Sequence, residues 1–173
     1  LGFHRERDSL QSVAYHRPLA RLVSPSLEER LTLIEDRLKI IDLIARYGPA
    51  ADSGDASVIG RLWEPEGTYT FDETTLVGEG VAALVNLNTH RAFMKAGCAH
   101  FLSSPRIDLA EGSAVAVNHS IVLEKHEDAW VAVRVSANRW ELTKAEGDWK
   151  VSHRTAQLLN GAAKARALLR VTL

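Results

Sequence analysis

The chain has 173 residues, 46% of them apolar, which is enough for one domain with a sizeable core and too few for two ordinary ones. Its 21 Lys and Arg are balanced by 22 Asp and Glu, and no dense basic stripe carries interleaved aromatics, so neither nucleic acid nor an anionic membrane surface is expected as a partner. The single cysteine, Cys98, rules out an internal disulfide and any thiolate cluster, and no apolar run approaches the roughly 20 residues that span a bilayer; a soluble, cytoplasmic protein with a small, nearly neutral partner is expected.

In chain order, residues 1–25 stand apart as an N-terminal arm, either flexible or exchanged with a neighbouring subunit, and 26–173 form one domain. Arg5, Arg7, Arg17 and Arg21 make the arm basic, but Glu6, Asp8 and the lack of an apolar stretch count against a targeting segment. Ser26 with Glu29 is a capping-box start, because hydroxyl and carboxylate can each satisfy a backbone donor of the first turn. Leu27, Leu31, Ile34, Leu38 and Ile41 then recur at three- and four-residue steps, and Leu33, Ile40, Ile44 and Tyr47 widen the stripe into that of a long amphipathic helix. Gly48-Pro49 is expected to kink or end it.

The turn at Asp52-Ser53-Gly54-Asp55 leads to a short helix over 56–63, a strand over 67–71 and a third helix over 81–95. Gly78-Glu79-Gly80 lacks the third glycine and the strand–helix context of a nucleotide loop, and reads as a turn. After Gly97 the period changes to two, over 99–109, 114–124, 129–143 and 149–158, with hairpin signals at Glu111-Gly112, Glu127-Asp128 and Glu146-Gly147-Asp148. Helices followed by a meander of long strands predict an α+β domain whose sheet wraps over the first helix.

Five positions carry most of the chemistry: Asp52, His100, His119, Ser136 and Asn138. A carboxylate, two imidazoles and two neutral hydrogen-bonding groups are what cofactor-free proton transfer needs. His119 alternates with Val115, Val117, Ile121 and Leu123, an apolar row, so it is either a satisfied core residue or a proton donor and acceptor in a pocket. His100 allows the same two readings. Ser136 and Asn138 share a face with Ala132, Arg134 and Trp140, which favours the inside over a solvated face. Asp52 serves equally as a turn or cap residue. His4, His16, His90, His126 and His153 show no zinc spacing, so no metal and no cofactor are expected. Cys98 reads as a small buried apolar residue.

The segments Ile44-Ala45-Arg46-Tyr47, Ala51-Asp52-Ser53-Gly54-Asp55, Arg61-Leu62-Trp63, Ala99-His100-Phe101-Leu102, Asn138-Arg139-Trp140-Glu141-Leu142 and Trp149-Lys150-Val151 with Arg154 give the chain a resemblance to the SnoaL-like branch of the nuclear-transport-factor-2-like superfamily. The resemblance implies a cone-shaped barrel, a strongly curved and mostly antiparallel sheet wrapped around N-terminal helices and enclosing an apolar pocket. The polar pattern resembles that of scytalone dehydratase at Asp52, His100, His119, Ser136 and Asn138, with Tyr69 matching a pocket tyrosine. Ala51 stands where that enzyme carries another tyrosine. Hexachlorocyclohexane dehydrochlorinase is similar at Asp52 and His100.

These features imply a cofactor-independent lyase, dehydratase-like, or an isomerase, acting on a small, largely apolar cyclic compound. Asp52 would orient His100 as base, His119 would relay a proton, and Ser136, Asn138 and Tyr69 would hold the substrate. The alternative is a non-catalytic ligand-binding or structural module of the same fold. Homo-oligomerisation, as dimer or trimer, is expected through the outer sheet face at Val131, Val133 and Val135.

Overall fold

The structure, a computed structural model, describes residues 25–170, so the N-terminal arm lies outside the described residues. Helix α1 (Leu27–Ser53) starts at the expected capping box: the Ser26 hydroxyl accepts from the Glu29 N–H, and the Glu29 carboxylate accepts from the Ser26 N–H. It does not end at Gly48-Pro49. Pro49 and Ala45 both face outward, so the Ala45 carbonyl that loses its helical partner is on the solvent side and the interruption costs little. The helix ends instead at Gly54, whose φ of 70° closes it in the left-handed region that favours glycine.

Gly48 has a different task. A Cβ there would sit 2.4 Å from the His100 carbonyl oxygen, so glycine is what lets α1 press against the following sheet at the histidine.

Helix α2 (Ala56–Leu62), capped by Asp55, runs into β1 (Trp63–Phe71) and the short β2 (Thr74–Val77). The single helix expected over 81–95 is instead α3 (Glu79–Ala83), a 3₁₀ turn at Leu84–Asn86, and α4 (Asn88–Ala96). Likewise the strand expected over 99–109 divides at Ser103-Ser104-Pro105 into β3 (Cys98–Leu102) and β4 (Arg106–Ala110). Proline cannot donate to a ladder, and both halves pair with different stretches of β5 (Ser113–His126). Strands β6 (Ala129–Ala145) and β7 (Asp148–Leu158) follow, then α5 (Ala163–Leu168).

The sheet order is β2-β1-β7-β6-β5-β3, with β4 also on β5, and only β1 and β7 are parallel. The domain is therefore α+β, with a curved, mostly antiparallel sheet over α1 that is not closed into a complete barrel. Ile40, Leu43, Ile44 and Tyr47 face the sheet, where Trp140, Leu142, Trp149, Val151, Ala114 and Ala116 meet them. The other stripe of α1, Leu27, Leu31, Ile34, Leu38 and Ile41, points away from the body and is exposed. On the outer sheet face Phe101, Ile121 and Val135 are also exposed; a bulge at Val133 shifts the register of β6, so Val131 pairs with Glu124 and lies on the face of Cys98, and the expectation that Val131, Val133 and Val135 share the outer face does not hold. No described helix is long and apolar enough to cross a membrane.

Candidate active site

Paired residues in a ladder share a face, so the register fixes what looks inward. Tyr69, Arg154, Trp140 and Ala116 form one inward row across β1, β7, β6 and β5. Phe71, Ala156, Asn138 and Asn118 form the next, followed by Leu158, Ser136, Ser120 and Leu102. His100, Val122 and Arg134 complete the inner face.

His119 is absent from it. Ser136 pairs with Ser120, so His119 pairs with Ala137 and its side chain is exposed on the outside. The expectation that His119 and Ser136 both face inward is incompatible with this register, since a shift by one residue would turn out every polar group of the strand. The apolar row of β5 is its outer row; the small and polar one is inner.

Asp52 and His100 come together as expected. At the C-terminal end of α1 the Asp52 carboxylate accepts the His100 ring, Nδ1 to Oδ1, at 2.6 Å. It also accepts the His100 backbone N–H at 2.9 and 3.1 Å, and the Cys98 thiol at 3.6 Å. A carboxylate bonded to Nδ1–H leaves Nε2 as the free basic nitrogen. Burial lowers the His100 pKa, opposed by the hydrogen bond and charge of Asp52 and reinforced by His90 and Arg154. The ring is therefore neutral at pH 7 and able to take a proton.

His90, on α4, is the second imidazole of the site in place of His119. Its ring lies 5.6 Å from that of His100, and its Nε2 donates to the Ala51 carbonyl at 2.8 Å. Nothing in the sequence marks it, because a lone histidine beside an arginine on a short helix reads as surface.

Arg154 was visible in the sequence only as part of a resembling segment. It is 3% exposed and forms no ion pair with a carboxylate among the described residues. Its guanidinium carbon lies 4.2, 4.5 and 4.1 Å from the ring centres of Tyr47, Tyr69 and Trp140, an aromatic cage that offsets part of the cost of burying the charge. Nε and one terminal nitrogen donate to Asn138 Oδ1 at 3.3 and 2.8 Å; the other terminal nitrogen, NH1, is buried without a partner.

Ser136 Oγ, on a residue 1% exposed, is likewise buried and unpartnered. Asn138, by contrast, is spent: its amide donates to Ser120 Oγ at 3.0 Å and its oxygen receives Arg154, so it positions the arginine and does not line the cavity as expected. Asn118 ties the layer beneath, accepting from Trp140 Nε1 and donating to the Ser103 carbonyl, both at 3.0 Å.

Two adjoining cavities share Tyr47, Tyr69, His100 and Arg134. The larger, about 210 Å³, adds Phe71, Leu84, Val85, Leu87, Phe93 and His90. The smaller, about 70 Å³, adds Ser120, Ser136 and Arg154. Tyr69 takes its expected place between them, its pKa pushed up to about 12 by burial, so the phenol stays protonated. A third depression, about 800 Å³, is larger but lies between α1, α2 and β7 among exposed charges such as Lys39, Arg46 and Arg61, and holds none of these groups.

Asp52, Cys98 and His100 place donor atoms within 4.8 Å of one another, close enough to share a cation among the described residues. Burial, with the Asp52 charge, pushes the Cys98 thiol up to about 11, so it is a poor ligand unless a cation displaces its proton.

The SnoaL-like domain family matches residues 32–155. The chain belongs to this family. An NTF2-like protein of cystatin-like fold from Novosphingobium aromaticivorans is 42% identical, with a TM-score of 0.82 over 86% of this chain and 100% of that one. More distant structures share the fold: a hexachlorocyclohexane dehydrochlorinase from Novosphingobium barchaimii, 16% identical over 75% of this chain and 90% of its own, TM-score 0.66, and a candidate scytalone dehydratase from Novosphingobium aromaticivorans, 15% identical over 75% and 87%, TM-score 0.62. No curated protein matches the chain.

Proposed function

We propose that this SnoaL-like protein is a cofactor-independent acid/base enzyme, a lyase or isomerase that removes a proton from a small, largely apolar ring compound. The observation that carries the reading is the Asp52–His100 pair, held at 2.6 Å beside an apolar cavity with the ring neutral. An apolar cavity of about 150 Å³ already accepts benzene, so about 210 Å³ suits a single ring with small substituents. His100 Nε2 takes a proton from carbon, and Asp52 stabilises the imidazolium that results. The electron pair left behind either forms a double bond as a leaving group departs or moves onto a carbonyl oxygen.

In both cases negative charge develops on an atom that the unpartnered Arg154 NH1 and Ser136 Oγ are placed to receive, while Asn138 holds the arginine. In an isomerisation the proton returns from His100; in an elimination it goes to the leaving group or to solvent. The fold similarity to a dehydrochlorinase and a candidate dehydratase, both named for eliminations, agrees with this chemistry but does not select the substrate. Self-association across the outer face, at Val135 with Phe101 and Ile121 beside it, belongs to the same proposal.

A panel of cyclic hydroxyketones and halogenated alicyclic compounds, followed by loss of substrate and by exchange of carbon-bound hydrogen with deuterated water, tests it. Asp52→Asn and His100→Ala should each lower the rate roughly 10³-fold, within the usual range for a general base, and the double variant should fall little further because the two act as one unit. Rates unchanged in both variants, with ligand affinity and folding intact, would make the protein a binding module.

A further inference from the structure

The outward stripe of α1 has a spacing and a charge pattern of its own. Leu27, Leu31, Ile34, Leu38 and Ile41 follow one another at steps of four, three, four and three, a strict 3.5-residue period, and are 36% to 78% exposed. The body-facing residues Asp36, Ile40, Leu43 and Tyr47 occupy the opposite side, with Ile44 buried on the flank between. In heptad terms the a positions are Leu31 and Leu38 and the d positions Leu27, Ile34 and Ile41. The e flank then reads Glu28, Glu35, Asp42, and the g flank Arg30 and Arg37, followed by Ile44, which is buried against the body. All acids lie on one side of the seam and both arginines on the other.

We propose that this stripe is a self-association seam, on which α1 helices from two or more copies of the chain lie parallel. In a parallel arrangement each g residue meets the e residue five positions on in the neighbouring copy, which puts Arg30 against Glu35 of a second copy and Arg37 against Asp42. In an antiparallel arrangement acid meets acid and arginine meets arginine. The pattern is thus complementary to itself in one orientation, a property that a different partner would not require. A bilayer surface is the poorer occupant, because interfacial helices flank their apolar face with Lys and Arg, whereas Glu28, Glu35 and Asp42 line one whole side here.

The seam spans about 22 Å, two heptads, too short for an isolated coiled coil. Here, however, the helix is already formed, fixed by Asp36, Ile40 and Ile44 against the sheet and by its capping box, so association does not also have to order it. Leucine at a with isoleucine at d is a combination that favours three or four strands over two.

The test is the mass of the full chain in solution by light scattering on a sizing column. Ile34→Glu with Leu38→Glu should divide the mass by the number of helices in the seam while leaving circular dichroism unchanged, since neither side chain touches the core. Arg30→Glu should weaken association at low salt, at least tenfold in dissociation constant, and adding Glu35→Arg should restore it. Arg30 and Glu35 are the cleaner pair, because Arg37 also donates to the Ile107 carbonyl and Asp42 pairs with Arg46. A wild-type monomer, or a mass untouched by the double glutamate variant, overturns the seam; if removal of residues 1–24 then raises the mass, that segment is the occupant. Failure of Glu35→Arg to restore association overturns the parallel arrangement.

Discussion

Helix α1 spans two ends of one interior that are built on opposite terms. At the end nearer its start, Ile40, Leu43 and Ile44 meet Ala114, Ala116, Leu142 and Val151, and the buried acid of the helix, Asp36, is satisfied by Lys144 at 2.8 Å and Trp149 Nε1 at 3.0 Å. At the other end, Asp52, His100, His90, Arg154 and Ser136 crowd around a cavity, and two buried polar atoms have no partner. The first end is packed around a satisfied acid and leaves one buried oxygen, Asp108 Oδ2 on β4, without a partner; the second gathers its two unpartnered atoms around a cavity. The contrast teaches that stability and chemistry are separated along the helix, with the Asn118–Trp140 and Asn138–Arg154 contacts marking the border.

The comparison is broken most severely at the packed end. Ile40 is wholly buried, and Ile40→Ala should cost about 3 kcal/mol, through lost burial and the void left behind, seen as a lowered denaturant midpoint. Well below its unfolding temperature, the variant should still exchange substrate protons at the wild-type rate, since Ile40 touches none of the site. A loss of rate without a loss of stability would show that the two ends are not separate.

How much of this division can be read in the sequence depends on which signal is asked. The start of α1 is legible because a capping box is local chemistry, and the long strands are legible because alternation is local geometry. Asp52 and His100 were legible through resemblance, since 48 residues separate them and no periodicity links them. The orientation of β5 was not legible: Val115, Val117, Ile121 and Leu123 are the more apolar row, yet Ala116, Asn118 and Ser120 face the interior. The reason is physical. An interior that holds polar groups around a cavity does not select the most hydrophobic face of a strand, so apolar periodicity alone does not give its orientation. The same inversion sends Leu31 and Leu38 outward on α1. Arg154 was illegible as a site residue because arginine on a strand is ordinarily solvated, and only the cage of Tyr47, Tyr69 and Trp140 makes it an interior group.

The border itself can be tested next. Asn118→Ala removes the acceptor of Trp140 Nε1 and the donor to the Ser103 carbonyl, leaving two groups unpaired near the core, and should cost about 2 kcal/mol. Unlike Ile40→Ala it should also slow turnover, because Trp140 forms one wall of the arginine cage. An effect on stability alone would place the border deeper in the polar end.

A smaller effect separates the ends by pH. Burial, the largest cause, lowers the His100 pKa from its ordinary 6.5, so the unfolded chain binds this proton more readily than the folded one. Stability from the neutral ring is therefore fully present above about pH 6.5 and is lost as pH falls toward the lowered folded value, with a slope of at most about 1.4 kcal/mol per pH unit for one proton. Asp36 belongs to a lower window. Burial raises its pKa, but Lys144, Trp149 and Lys39 outweigh it and the net shift is downward, so its contribution is lost only as pH falls below the ordinary carboxylate range. Unfolding midpoints between pH 7 and 5 should fall in the wild type and fall less in His100→Asn. Equal slopes would mean that His100 is not the group that titrates.

The smallest expected effect is the most diagnostic for orientation. His119 lies between Asn118 and Ser120 in the chain, but its side chain projects from the other face, and it is its backbone that bonds to the neighbouring loop, the N–H to Ser103 Oγ at 3.0 Å and the carbonyl from the Ser103 N–H at 2.9 Å. Removing the imidazole leaves both in place. His119→Ala should therefore change stability by less than about 0.5 kcal/mol, the usual range for a surface position, and leave turnover and its pH profile as they were. The neighbouring Asn118→Ala provides the contrast, since one step along the strand crosses from outside to inside. A tenfold loss of turnover in His119→Ala, with the fold intact, would mean that β5 is turned the other way and that His119 faces the site.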